Sequence, residues 1–178
     1  MSIAPHVKPY LAALPSAAGR TAVVTGGNAG LGRETALFLA HQGASVVIAA
    51  RDPVRAEEAR AYVLAAVPGA DVSVERLDLA SLASVEACAA RLAGRQVDLL
   101  VCNAGIMAVD RAVTEDGFES QIGVNHLGHF ALVGHLFAGL AGRLGARVVV
   151  VTSSAAYLGR VDLDDLMGDR SYDRWSAY

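Results

Sequence analysis

Thiols are nearly absent from this chain. Cys88 and Cys102 are the only two, too few for a disulfide framework, and the pattern suits a reducing compartment in which both serve as small core hydrophobes. Long apolar runs are missing as well, since none approaches the roughly 18 residues that a membrane span needs. The first 20 residues, broken by Pro5, His6, Lys8, Pro9 and Pro15, resemble neither a signal peptide nor a membrane anchor. A cytoplasmic location without a membrane partner is therefore expected. Charge is sparse too: 15 basic and 18 acidic residues leave a net charge of -3, which gives nucleic acid no long-range reason to approach. A small molecule is the expected partner.

What the chain does have is hydrophobic mass. Over its 178 residues 53% are hydrophobic and 19% charged, enough for one domain with a real core and too apolar for disorder. From Arg20 onward, short valine-rich runs alternate with alanine-rich helical stretches, the signature of βαβ units and a parallel sheet. Five strands are expected, at Thr21 to Thr25, Ser45 to Ala50, Val72 to Leu77, Asp98 to Cys102 and Arg147 to Thr152. Most are continuous apolar runs because strands of a parallel sheet are covered on both faces.

The helices between them carry their own punctuation. Gly43 ends the first, Asp52 followed by Pro53 opens the second, and Pro68 with Gly69 stops it. Ser81 opens the third and Gly94 closes it. Thr114 is expected to cap a long fourth helix, with Glu115 and Asp116 favourably placed in its first turn. His126, His129 and His135 share that helix without a carboxylate or cysteine cluster, so no metal is expected and they are assigned to helix surface or subunit contact. The fourth helix is apolar around much of its circumference, which suggests a second subunit as well as the sheet. Residues 155 to 175 lack periodicity and read as a long loop, leaving the fifth strand as a hydrophobic edge.

Directly after the first strand comes Thr25-Gly26-Gly27-Asn28-Ala29-Gly30-Leu31-Gly32. Glycine permits positive φ and close backbone approach, and the free N–H groups of the following helix favour an anionic diphosphate. A tight turn with no ligand would need the glycines equally, so the glycines alone do not decide. Their spacing, Gly-x-x-x-Gly-x-Gly, says more, because it differs from the commonest dinucleotide fingerprint. Together with Leu77-Asp78-Leu79, Cys102-Asn103-Ala104-Gly105, Val124-Asn125-His126, Val151-Thr152-Ser153-Ser154-Ala155 and the terminal Trp175-Ser176-Ala177-Tyr178, it resembles the short-chain dehydrogenase/reductase family in its retinol-dehydrogenase-like branch. Cys102 departs from the asparagine that many members carry there. The glycine spacing does not fit the Thr-Gly-x-x-Gly-x-x-Gly of the related epimerases and dehydratases.

The resemblance implies a three-layer doubly wound parallel sheet, a Rossmann fold, of strand order 3-2-1-4-5. It divides the chain into an N-terminal arm at 1–19 and an NADP-binding domain at 20–178 whose last strands and helices are absent. It implies an oxidoreductase that interconverts an alcohol and a carbonyl by hydride transfer, acting as a homo-oligomer when full length. Gly26, Asn28, Gly30, Leu31 and Gly32 would carry the diphosphate, Asp78 and Leu79 the adenine edge, and Asn103, Ala104 and Gly105 the sugar side. Tyr178 would transfer the proton, Ser154 rather than Ser153 would hold the substrate oxygen, and Asn125 would shape the long helix and organise a water relay. The family's lysine, four residues past the tyrosine, would lie beyond Tyr178. A phenol with a pKa near ~10 needs such a positive neighbour to act near neutrality, so the expected alternative is an inactive fragment that at most binds dinucleotide.

The choice of coenzyme follows from charge. An acidic residue at the end of the second strand would select NAD by binding the ribose hydroxyls. This chain has Ala50 and then Arg51, whose planar donor fork suits a 2′-phosphate. Arg33 beside the glycine turn adds a second cation, while Asp52 reads as the helix cap. NADP is expected over NAD.

Overall fold

A computed structural model describes residues 14–157 and 159–178. Most of the expected N-terminal arm, residues 1–13, lies outside the described residues. What remains of it is tied down where the Ala17 amide donates to Gln42 O at 2.8 Å.

Five strands, β1 (Thr21–Thr25), β2 (Ser45–Ala50), β3 (Val72–Arg76), β4 (Val97–Cys102) and β5 (Arg147–Val150), form one sheet. They are parallel throughout and lie in the order β3-β2-β1-β4-β5, as the resemblance implied. β3 and β5 stop slightly short of the expected ends, although the Val151 amide still reaches Cys102 O at 3.0 Å.

Side chains of successive strand residues leave on opposite faces, and on β1, β2 and β4 both faces are covered. Ala22, Val24, Val46 and Ile48 enter one cluster with α1 (Gly30–His41) and α2 (Pro53–Ala66). Val23, Val47 and Leu100 enter the other with Val85 and Leu92 of α3 (Leu82–Leu92) and with Leu132 and Leu136. Each fully buried valine or leucine contributes about 1.5–3 kcal/mol relative to exposure, which explains why these runs do not alternate with polar residues. At the amino end of β4, Asp98 accepts the Thr21 amide at 2.9 Å and Arg143 Nε at 2.8 Å, fastening the start of β1 to the end of the last long helix.

The helix caps behave as expected at two positions. Asp52 Oδ1 accepts the Val54 and Arg55 amides at 3.0 and 3.2 Å, and Ser81 Oγ accepts the Ser84 amide at 3.2 Å. The fourth helix starts later than expected. Thr114 instead closes a turn, its Oγ1 accepting the Phe118 amide at 3.1 Å, next to a bridge between Val113 and Glu119. Glu119 is the cap, its carboxylate holding the Gln121 and Ile122 amides at 2.8 and 2.9 Å. Asp116 points away to the Leu82 amide at 2.8 Å.

The helix itself, α4 (120–141), has three parts: Ser120–Ile122, a wide π turn over Gly123–Leu127, and Gly128–Ala141. Gly128 donates back five residues to Gly123 O. A Cβ at Gly128 would meet Leu79 O at 2.4 Å, so α4 runs against the loop that follows β3. All four residues of β5 are exposed, which makes it the bare edge that was expected. The stretch from 155 to 175 is mostly loop, with a 3-10 turn over Ser154–Tyr157 and then α5 (Arg174–Ala177), capped by Asp173.

Candidate functional site

The carboxyl ends of β1, β2, β3 and β4 open into a cleft of about 630 Å³, within the usual range for small-molecule sites. Its floor is the glycine turn. Gly26 has φ +64 and packs so closely on the loop after β4 that a Cβ would meet Ala104 Cα at 2.9 Å. At Gly32 a Cβ would strike Gly26 O at 2.3 Å and Asn103 Nδ2 at 2.5 Å. Gly30 is different: it has φ +51, and a Cβ there would meet nothing within 4 Å. Two glycines are thus needed for packing and one for backbone shape over open space. Ala29, at the helix start, supplies no side-chain cap, and the first turn of α1 carries no acid. A tight turn serving only itself would not leave such an uncapped, positively polarised end facing a cleft, so the cradle fits a diphosphate.

Behind the turn lies a fully buried threonine. Thr25 Oγ1 accepts the amides of Asn103 and Ala104 at 2.9 and 3.0 Å and lies 2.8 Å from His129 Nε2, while Thr25 O accepts Asn103 Nδ2 at 2.9 Å. The ends of β1 and β4 and the middle of α4 therefore meet at one hydroxyl. His129 corrects an expectation: it is 6% exposed and belongs to the interior, neither to the helix surface nor to a subunit contact. Burial holds its pKa below the ordinary 6.5, with His126 acting in the same direction and the Asn125 carbonyl against it. Sequence reading missed both members of this pair as site residues. The signal was weak, because Thr25 reads as the last residue of a strand and His129 as one of three similar histidines.

Asp78, Leu79, Asn103, Ala104 and Gly105 all line the cleft, as do Asn28, Leu31 and Arg51. One oxygen of Asp78 accepts the Ala80 amide at 3.0 Å, and Ser84 Oγ accepts the Asp78 amide at 2.9 Å. Arg33 is not among the lining residues. Its guanidinium stacks over the Tyr62 ring at 4.2 Å and pairs with Glu34 at 3.1 Å, which turns it along α1 toward α2. The second cation at the rim is Arg55, one helical turn past the Asp52 cap. The spacing Arg51-Asp52-Pro53-Val54-Arg55 could have pointed to it, since a capped helix start projects its first-turn side chains toward the strand ends.

The three residues expected to do chemistry are arranged less compactly. Asn125, in the π turn, accepts the Ile106 amide and donates to Ile106 O, both at 2.8 Å, so it braces the loop after β4. Ser154 is exposed at the head of the 3-10 turn. Ser153 Oγ is taken by the Ala155 amide at 3.1 Å, which leaves Ser154 as the freer hydroxyl of the two. Tyr178 is half-buried at the end of α5. Neither Ser154 nor Tyr178 is among the residues lining the cleft of the glycine turn.

The approach to Tyr178 is docked by a polar cluster that sequence reading also missed. Tyr172 Oη meets Gln121 Nε2 at 2.9 Å and Glu119 Oε1 and Val109 O at 3.1 Å, and Gln121 Nε2 also donates to Arg174 O at 3.0 Å. Gln121 Oε1 accepts the amide of Ala108 at 2.8 Å, a non-glycine residue with φ +51. Arg111 pairs with Asp169 and donates to Gly168 O at 3.2 Å. No periodicity announces such a cluster, whose members come from a loop, a helix start and a loop some fifty residues on. Among the described residues, no group of three or more histidine, cysteine or acidic side chains could hold a metal ion.

A family model described as short chain dehydrogenase matches residues 20–163. Retinol dehydrogenase 13 of Homo sapiens is 41% identical over 163 residues, covering 90% of this chain and 49% of its own length. Polyprenol dehydrogenase of Mus musculus is 45% identical over 172 residues, covering 93% and 51%. The chain thus spans about half the length of the curated relatives it matches. Among solved structures, an uncharacterized protein from Mycobacterium Paratuberculosis superposes with a TM-score of 0.81 at 48% identity, covering 94% of this chain and 59% of that one. An NADPH-bound short chain oxidoreductase from Pseudomonas aeruginosa PAO1 superposes with a TM-score of 0.70 at 26% identity, covering 81% and 58%.

Proposed function

Since this chain belongs to the short-chain dehydrogenase family, we propose that its cleft takes NADP and that the protein it represents interconverts an alcohol and a carbonyl. The observation that carries this reading is Gly30, left-handed over empty space at an uncapped helix start, with Arg51 and Arg55 at the rim. Bound there, the coenzyme supplies or accepts the hydride.

The chain's own residues divide the remaining work. The amides of the first turn of α1 hold the diphosphate, and Arg51 with Arg55 holds the 2′-phosphate through forked donors. Arg33, stacked on Tyr62, stiffens the helix behind them. Asp78 and Leu79 border the adenine side, and Asn103, Ala104 and Gly105 the sugar side. Ser154 holds the substrate oxygen, Tyr178 exchanges the matching proton with it, and Asn125 braces the loop after β4. The relatives named for retinol and polyprenol support an apolar alcohol or its aldehyde as substrate.

Two further readings are proposals of the same kind. Phe130 and Phe137 are 72% and 63% exposed on one side of α4, which supports a second subunit packing there. Cys88 and Cys102 are free, buried thiols pushed up to about 11 by burial, which supports a cytoplasmic place. No helix among the described residues is long and apolar enough to cross a membrane.

Fluorescence titration of the chain with NADPH and with NADH tests the coenzyme reading. Saturable binding that favours NADPH is the expected result. Equal affinity for the two would remove NADP as the preferred partner, and no binding of either would remove the site.

A further inference from the structure

The environment of His129 fixes where its protons are. Asn125 O, 3.0 Å from Nδ1, is a carbonyl and can only accept, so Nδ1 carries a hydrogen. On the other side, Thr25 Oγ1 has two lone pairs and one proton, and the amides of Asn103 and Ala104 take both lone pairs. The hydroxyl proton then goes to Nε2 at 2.8 Å in preference to Val101 O at 3.3 Å. Every valence is used only when the ring is neutral with Nε2 bare. Protonation would put a third donor against the Thr25 oxygen, and one of the two amides would lose its buried acceptor.

We infer that His129 is a positioning residue of the cleft: its neutral Nδ1–H form aims the Thr25 hydroxyl so that Asn103 and Ala104 stay in register with the glycine turn and with Asn125. This rests on the proposed dinucleotide site, because those two residues form the sugar side of it. The Gly26 backbone is packed against Ala104 and that of Gly32 against the Asn103 side chain, so a shift of either residue moves the diphosphate cradle as well.

The groups that bear on the ring are few. His126, on the same helix, opposes a charge there. From β4 and α3 the titratable side chains in the adjoining core are Cys102 and Cys88, uncharged thiols near neutrality, and β1 contributes only Thr25. Among the described residues, no carboxylate acts on the ring. The folded-state pKa is lowered, so the neutral arrangement is complete at and above 6.5 and is lost as pH falls below it toward the folded value.

The test uses the chain with ¹⁵N-labelled histidine. Long-range proton–nitrogen spectra at pH 8 are expected to show His129 as the Nδ1–H tautomer, titrating below 6.5, with the Asn103 and Ala104 amide signals moving in the same transition. NADPH affinity is expected to fall by up to about tenfold per pH unit below that transition, the slope of a single proton. His129→Gln, which keeps an acceptor for Thr25 but cannot titrate, is expected to bind at pH 8 and to retain only the shallower slope due to the ligand's own phosphate. An Nε2–H tautomer, or matching pH profiles in the two proteins, would overturn the inference. Should NADPH bind at no pH, the coenzyme reading fails alone, because the tautomer and the amide shifts of the free protein still decide the role of His129. The same spectra decide it if the Gln variant does not fold.

Discussion

Thr25 is wholly buried and takes part in hydrogen bonds to β4, the loop beyond it and α4, whereas Ser154 follows a strand on which all four residues are exposed. Both lie at the carboxyl edge of the same sheet. The cleft of the glycine turn is determined by steric contact: glycines at which a Cβ would fall within 3 Å of backbone, a hydroxyl with each valence filled, strands covered on both faces. The segment leading to Tyr178 is held instead by side-chain hydrogen bonds of Tyr172, Arg111 and Asp173.

Substitutions probe that contrast in order of expected size. Gly32→Val forces a branched side chain into Gly26 O and Asn103 Nδ2; a loss of about 3 kcal/mol or more is expected, seen as a collapse of the urea midpoint together with NADPH binding. If the variant bound normally, the steric description would be wrong. Arg51→Ala is expected to weaken NADPH by roughly 1.5–3 kcal/mol, the worth of a charged hydrogen bond, and to leave NADH and the melting temperature alone. Equal losses for both coenzymes would move the 2′-phosphate elsewhere.

On the softer side, Tyr172→Phe removes contacts to Gln121, Glu119 and Val109. About 1 kcal/mol of local stability is expected to go with them, read as faster amide exchange over 162–174 with unchanged NADPH affinity. Coupled loss of affinity would show the two regions to be one unit. The smallest effect is expected at Gly139, in the regular part of α4 with nothing near a new Cβ. Gly139→Ala should stabilise by about 0.5–1 kcal/mol through the unfolded chain, measured by thermal melting. A loss there would mean that this face of α4 is already packed against something.

The same contrast decides what could be read from residues alone. The strands and two of the helix starts were legible because valine runs such as Val46-Val47-Ile48 answer to burial on two faces and because Asp52-Pro53 and Ser81 cap helices by local chemistry, whereas the strand order came from the family resemblance. Gly26, Gly30 and Gly32 were legible for a similar reason, since backbone shape and close approach admit no substitute. The start of α4 was not. Thr114 is the better cap by propensity, but the bridge from Val113 to Glu119 absorbs it into a turn and hands the role to a glutamate. Arg33 was read as a phosphate ligand from its place beside the turn; its stacking on Tyr62 depends on how α1 packs on α2, a tertiary fact. His129 was assigned to the helix surface or a subunit contact because a buried imidazole and an exposed one have the same spelling.

Ala108 carries a left-handed backbone that costs an L-residue about 1–2 kcal/mol, and the Gln121 side chain grips its amide. The loop there behaves like a drawn bow with a finger on the string. Glycine at position 108 would relieve the strain with the grip intact, and leucine at position 121 would remove the grip with the strain intact, so two changes at one contact act on the same loop in opposite senses.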